Sequence, residues 1–424
     1  MSSTMSRRRF FINSGKAVLS ASLASVAAEQ FLAACGTGSG SGNATVTFWH
    51  SYNTTDPENP TLLNKVIPAF NKKYPNITIK AQDIPYQSLL QKITASVAGG
   101  NGPDVIRSDI IWMPQLAKIQ ALVSLDDVVA QRKDEFYAGS LATCYYKGHY
   151  YGLPLDTNTK IIIYDKGLFS RAGVTAVPQT TDDFKAAAQK ITALGGNIFG
   201  YAEGGLDAWN ILPWIWTFGG AVTDDNYTTA TGYINGPQSV AAVQYLLDML
   251  NSKALSPGIL GGSSLGTTDA LGKNLAGMVI DGPWVPPTLQ QQYPSTQYAF
   301  GPMPTGPGGS IQVVGGEDIA ILSTTKNLDA AKTWVSFMTS DEAQRLMGAV
   351  GQMPTLKSAS SDPSYPDYYS FYSQQLETAK PRPVTPNYEK IDTALTDAWT
   401  KALQKKASVQ AALDEAAQTI NTLL

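Results

Sequence analysis

Cysteine and histidine are nearly absent from this chain, and basic blocks and long apolar runs are scarce. Its 424 residues include two cysteines, Cys35 and Cys144, and two histidines, His50 and His149. These four residues make no Cys/His cluster of transition-metal spacing. Nothing matches the glycine-lysine loop that cradles nucleotide phosphates, so neither a metal nor another cofactor is called for. The net charge is −3, from 31 Lys plus Arg against 34 Asp plus Glu, and no basic block lies beyond the first ten residues. The electrostatic footprint of a nucleic-acid binder is missing, and an uncharged or zwitterionic small partner fits better. The apolar stretch from Ala17 to Ala28 is too short and too rich in Ser and Ala to span a bilayer permanently.

What is present points to a large folded body. Hydrophobic residues make up 43% of the chain, enough for a sizeable core and more than one domain usually holds, so two lobes are expected. Aromatics reach 10%, with 8 Trp and 20 Tyr, more than a core needs and suited to recognition. At the N-terminus, Ser6-Arg7-Arg8-Arg9-Phe10-Phe11 resembles a twin-arginine export signal, and Leu32-Ala33-Ala34-Cys35 resembles the bacterial lipobox. Small residues there let a peptidase approach, and the Cys35 thiol takes a diacylglyceryl group. Residues 1–34 are therefore read as an export signal and 35–44, rich in Gly and Ser, as a flexible tether from a membrane lipid anchor at Cys35. The mature chain then keeps only Cys144, forms no internal disulfide, and uses that residue as a buried small hydrophobe.

From Thr45 onward, strand and helix patterns alternate. Val46-Thr47-Phe48-Trp49 and Ile77-Thr78-Ile79-Lys80 read as strands, as does the stretch from Pro103, with helices predicted over 61–74 and 88–98. This β-α-β-α-β order is the doubly wound pattern of largely parallel sheets, in which ligands gather at the carboxyl ends of strands. Trp49, His50 and Asp109 fall there. A second α/β set begins after about residue 155, with Thr181-Asp182-Asp183 capping a helix over 184–194. Further helices are predicted over 327–338, over 341–347 and from Ser408.

Several runs, taken in order, carry a family resemblance. They are Val66 to Pro75, Gly102 to Ile106, Leu122 to Asp126, Pro154 to Asn158, Ile163 to Asp165, Met278 to Trp284, Gly315-Gly316 and Arg382 to Tyr388. The chain thereby resembles the extracellular solute-binding proteins of ABC importers, in the carbohydrate branch that includes maltose/trehalose-binding proteins. Two departures stand out: Ile161 and Arg171 replace the family's usual residue types, and Glu317 follows Gly316 where sugar-binding relatives often have Trp. The resemblance implies an α/β bilobal periplasmic-binding-protein-like fold, two doubly wound lobes joined by a multi-strand hinge. Lobe 1 would comprise 45–154 and 311–354, lobe 2 would comprise 155–310 and 355–424, and the chain would cross near Pro154, near 308–312 and near 353–356.

The resemblance also implies a function: a monomeric, lipid-anchored receptor that captures a sugar and delivers it to the permease subunits by hinge closure. By family position, Asp109, Asp156 and Asn158 are polar contacts, Trp284 a stacking ring, Gly316 a backbone contact, Glu317 a substituted polar contact and Arg382 a donor fork. Trp49 and His50 face the cleft by topology, Trp112 lies on its rim, and Trp209 is the ring chosen from the group that also holds Trp214 and Trp216. An enzyme is the competing class. Gly262-Ser263-Ser264-Leu265-Gly266 matches the hydrolase nucleophile pattern, but both histidines precede it, whereas that order needs His last. Asp109 with Glu317 could serve as a glycosidase carboxylate pair. A non-sugar solute, such as a glycerol phosphodiester or a polyol, and a lipid-tethered adhesin are the remaining alternatives.

Overall fold

The computed structural model describes residues 43–424 apart from 53, 55, 56, 262–265, 361 and 364. The export segment, Cys35, most of the tether and the serine of the hydrolase-like pattern lie outside the described residues. No helix among the described residues is long and apolar enough to cross a membrane.

Eleven strands are placed: β1 (Ala44–His50), β2 (Ile77–Asp83), β3 (Val105–Asp109), β4 (Tyr145–Tyr146), β5 (His149–Tyr150), β6 (Leu153–Asn158), β7 (Ile161–Asp165), β8 (Phe199–Ala202), β9 (Ala276–Asp281), β10 (Tyr298–Gly301) and β11 (Gly315–Ile321). They form a five-stranded sheet in the order β2-β1-β3-β11-β6, a four-stranded sheet in the order β10-β7-β9-β8, and the small β4-β5 hairpin. The expectation of largely parallel sheets needs correction. The β1-β2, β1-β3 and β8-β9 pairs are parallel, whereas β11 runs antiparallel to both β3 and β6, and β7 runs antiparallel to both β9 and β10. Strands that re-enter a sheet after a visit to the other one need no helical crossover, so they are free to run the opposite way.

Alternation explains how β1 is seated. Val46, Phe48 and His50 share one face and are buried, with Phe48 meeting the edge of Trp334 at 5.7 Å. Helices supply the rest of that core through Leu62, Val66, Phe70, Val335 and Phe337. The predicted helix over 61–74 is one helical run made of Glu58–Thr61, a π-helical Leu62–Val66 and Ile67–Lys73. Against the second sheet stand Phe184, Ile191, Trp214, Leu246, Trp399, Leu413 and Ile420. Each such fully buried side chain contributes about 1.5–3 kcal/mol of transfer free energy. The helix predicted from residue 184 spans Thr181–Thr192 and is opened by a capping box between Thr180 and Asp183. Ser408 caps the last helix, Val409–Asn421, with its side chain on the Ala411 amide.

The chain leaves the five-stranded sheet after Asn158 rather than at Pro154, because β6 pairs with β11 from Leu153 to Asn158. Thr159 and Lys160 make the crossing and are both buried. The Thr159 hydroxyl donates to the Val313 carbonyl at 2.7 Å, which ties this crossing to the returning one between β10 and β11. Lys160 Nζ donates to Asn210 Oδ1 at 2.6 Å and lies 3.0 Å from Glu203 Oε1, so the charge is satisfied inside the second core. On the third crossing, the Thr157 amide donates to the Met353 carbonyl at 2.9 Å.

Candidate functional site

The site is organised by three neighbouring strands. Register places Glu317 of β11 opposite both Asp109 of β3 and Asp156 of β6, a row of three carboxyls across the sheet. Two residues before Asp109, Arg107 is buried with them. Its Nη2 lies 2.8 Å from Glu317 Oε2 and 3.3 Å from Asp156 Oδ2, and donates to Gln352 Oε1 at 2.8 Å. The guanidinium stands over the Tyr52 ring at 4.4 Å. Burial, opposed by Arg107, pushes Glu317 well above the usual carboxylate range, so it keeps its proton where an exposed Glu has lost it. Asp156 is raised for the same first reason.

At the open end of the row, Asp109 accepts from three donors. The Tyr86 hydroxyl reaches Oδ2 at 2.6 Å, the Ile111 amide reaches Oδ1 at 3.0 Å, and Arg382 Nη2 reaches Oδ1 at 3.2 Å. Arg382 in turn lies over Trp209 at 5.2 Å, and Trp209 and Trp284 have ring centroids 6.3 Å apart at 32°. On the facing wall Tyr86 and Trp112 are 5.0 Å apart at 30°. Trp112 Nε1 donates to Glu389 Oε1 at 3.0 Å.

Glycine makes this approach possible at two adjacent positions. A Cβ on Gly315 would run into the Trp209 ring and Asn158 Oδ1, and Gly316 has φ +134° with the Asp156 carbonyl against it. A residue with a side chain would be strained at the second and would displace the ring at the first.

These groups surround a cavity of about 590 Å³, walled by Tyr86, Asp109, Trp112, Asn158, Trp209 and Trp284, with Glu317, Arg382, Glu389 and Asp392. A second cavity of about 600 Å³, which reaches Arg107, Glu58 and Gln352, shares Tyr86, Gln87, Asn158, Trp284 and Glu317 with it. Eight of the residues singled out from sequence therefore meet on the first cavity: Asp109, Trp112, Asn158, Trp209, Trp284, Gly316, Glu317 and Arg382. Three do not reach either cavity wall. His50 points with Phe48 into the core, its ring 5.4 Å from Phe48 and 5.3 Å from Tyr52. Burial first, then Arg107, pushes its pKa down to about 3. Trp49, on the other face of β1, packs with the Ile84, Leu89 and Ile106 cluster. Asp156 is buried beneath Arg107. Trp214 and Trp216 are core residues, 1% and 6% exposed.

Sequence reasoning missed Arg107, Tyr86, Asp207, Glu389 and Asp392. Tyr86 opens a helix directly after β2, at the carboxyl end of a strand, the location that already drew attention to Asp109. Glu389 and Asp392 are three apart at the start of the helix Tyr388–Leu403, on one face, but that helix was not read from its pattern.

Comparison with known proteins agrees with this architecture. The solved structure of the GacH receptor of Streptomyces glaucescens, studied unliganded and in complex with acarbose, matches with a TM-score of 0.81 at 24% identity, covering 90% of this chain and 98% of that one. Maltose-bound T. maritima MalE3 matches with a TM-score of 0.81 at 24% identity, covering 90% and 100%. Among sequences, the maltotriose-binding protein of Pyrococcus abyssi is 22% identical over 391 residues, 88% of this chain and 81% of that one. Residues 54–345 match the profile of the bacterial extracellular solute-binding proteins, and since that is well over half of the sequence, the chain belongs to this family.

Proposed function

We propose that the protein captures a sugar or oligosaccharide in the cleft between its two sheets and delivers it to the transmembrane subunits of an ABC permease by hinge closure, with no covalent chemistry. Membership of the family implies an extracytoplasmic location. The anchor is the lipidated Cys35, and the receptor works as a monomer.

One observation carries this reading: flat aromatic faces and hydrogen-bonding groups converge on one cavity from both sides. Tyr86 and Trp112 come from elements of the first sheet, Trp209 and Trp284 from those of the second. Rings of this kind stack on the apolar C–H face of a pyranose, while Asp109, Asn158, Glu317 and Arg382 offer acceptors and donors to its hydroxyls. A ligand shifts a hinge only by its differential affinity for the two states, so contacts from both sides are what closure requires. The solved relatives that bind acarbose and maltose support the same ligand class. A phosphodiester fits poorly: both arginines of the cleft are already engaged by carboxyls.

A thermal-shift panel of mono- and oligosaccharides, polyols, glycerol phosphodiesters and peptides tests it. A saccharide at a hundred times its Kd adds about 2.7 kcal/mol to stability. Shifts confined to polyols, phosphodiesters or peptides would overturn the sugar reading. Turnover of a glycoside, lost in Asp109→Asn, would make the protein a hydrolase instead.

A further inference from the structure

We propose that the saccharide taken by this cleft carries a protonated amine, as an amino sugar does, and that Glu389, Asp392 and Asp207 receive it. The inference rests on the sugar reading above and adds the chemical class of the ligand.

The argument starts from charge. Five carboxyl side chains line the first, aromatic-walled cavity, and Arg382 is the sole cation among its lining residues. Arg382 is committed to Asp109, and Arg107, on the neighbouring cavity, is committed to Asp156 and Glu317. Neither Lys nor His lines either cavity among the described residues.

The carboxyls left over form a group. Glu389 and Asp392 stand one turn apart on the helix Tyr388–Leu403. Asp207 caps the helix Ala208–Thr217, whose first amide, that of Ala208, donates to Asp392 Oδ1 at 2.7 Å, so the two helix starts bring Asp207 beside Asp392. None of the three has a Lys or Arg nitrogen within 4.0 Å among the described residues. Burial, with Asp207 and Glu389 adding repulsion, pushes Asp392 up to about 6, which is the strain that a cation would relieve.

A second feature points to a donor independently of charge. Asn158 is 8% exposed, lines both cavities, and its Oδ1 has no hydrogen-bond partner among the described residues. A buried acceptor left open in this way asks for a donor from the ligand. An ammonium brings three donors and no acceptor, and it is attracted by ring faces such as those of Trp112 and Trp209, which line the same cavity from its two sides.

The test is a matched comparison by calorimetric titration on the mature chain near neutral pH and low salt. Cellobiose is set against the β-1,4-linked glucosamine dimer, and trehalose against 2-amino-2-deoxytrehalose. The amine-bearing partner of a matched pair should bind about tenfold tighter or more, the size expected of one charge-assisted contact. The preference should shrink as salt is raised. In a Glu389→Gln, Asp392→Asn double variant, checked for folding by its circular dichroism spectrum, the ratio should fall toward one. Neutral sugars binding as tightly as their amines would overturn the amine inference and leave the sugar reading standing. Failure of every saccharide to bind would remove both. The wild-type comparison decides the matter even if the double variant does not fold.

Discussion

Arg382 Nη2 lies 3.2 Å from Asp109 Oδ1, so the last residue of a first-sheet strand is bonded to the segment that leads into the Tyr388–Leu403 helix of the second core. Both side chains are buried, at 6% and 9% exposure. Because removal of one partner leaves the other as an uncompensated buried charge, Arg382→Ala should lower the unfolding free energy by about 3–5 kcal/mol. Arg382→Lys should recover part of this by keeping the charge, but not the planar contact with Trp209. Urea denaturation of the three proteins measures it; an Arg382→Ala midpoint equal to wild type would mean that the bond does not hold the sides together in solution.

The two kinds of tryptophan should separate cleanly by assay. Trp284 is half-buried on the cavity wall, whereas Trp399 is fully buried in the second core. Trp284→Ala should weaken saccharide binding by about tenfold or more while costing little stability, since a stacked ring face is lost to the ligand. Trp399→Ala should cost about 3–5 kcal/mol of stability, and its ligand affinity, measured where the variant is folded, should stay near wild type. Calorimetry and denaturation on the same preparations give both numbers. A Trp284→Ala variant with unchanged affinity would take that ring out of the site.

How far the sequence spoke for itself depended on whether the signal was local. Strand-end position singles out Asp109, which lines the cavity, whereas helical spacing groups Trp209 with Trp216 and only the place of Trp209 beside Glu203 and the loop separates the two. His50 ends a strand as Asp109 does, yet it faces the core, because strand-end position does not say which of two faces a residue takes; the alternation Val46, Phe48, His50 did carry that information. Arg107 sits between Ile106 and Ser108 on a strand with every residue buried, and only the pairing of β11 with both β3 and β6 reveals the carboxyls that hold it. The antiparallel return of β11 is likewise a property of chain crossings distant in sequence, which no local pattern encodes.

Asp318 gives a pH prediction with a definite sign. It follows Glu317 on β11, is fully buried, and accepts from the Thr143 hydroxyl at 2.8 Å. Burial pushes its pKa up to about 8, against an ordinary value of 3.8. An acid raised in the folded state binds more protons there than when unfolded, so its contribution to stability is present at low pH and is lost as pH climbs from about 4 to about 8. Asp318→Asn removes that titration. The stability of wild type relative to the variant should therefore fall steadily over this window, as read from urea midpoints at successive pH values. A difference that stays flat would show that Asp318 is ionised throughout.

Arg107 and Glu317 lie 2.8 Å apart, yet their removal should have very unequal effects. Arg107 is the one cation contacting Asp156 and Glu317 among the described residues, and it also holds Gln352 and Ser51. Arg107→Met leaves the buried Asp156 without its cation, beside Glu317, and should cost about 3–5 kcal/mol near neutral pH. Because the abandoned carboxyls can take up protons, that cost should shrink in acid. Burial raises Glu317 well above the usual carboxylate range and so favours its neutral form, and Glu317→Gln should therefore cost much less stability than Arg107→Met. Denaturation of both variants near neutrality and in mild acid separates these outcomes. If Glu317→Gln costs as much as Arg107→Met, then Glu317 is ionised in the fold and its ion pair with Arg107 holds the row of carboxyls together.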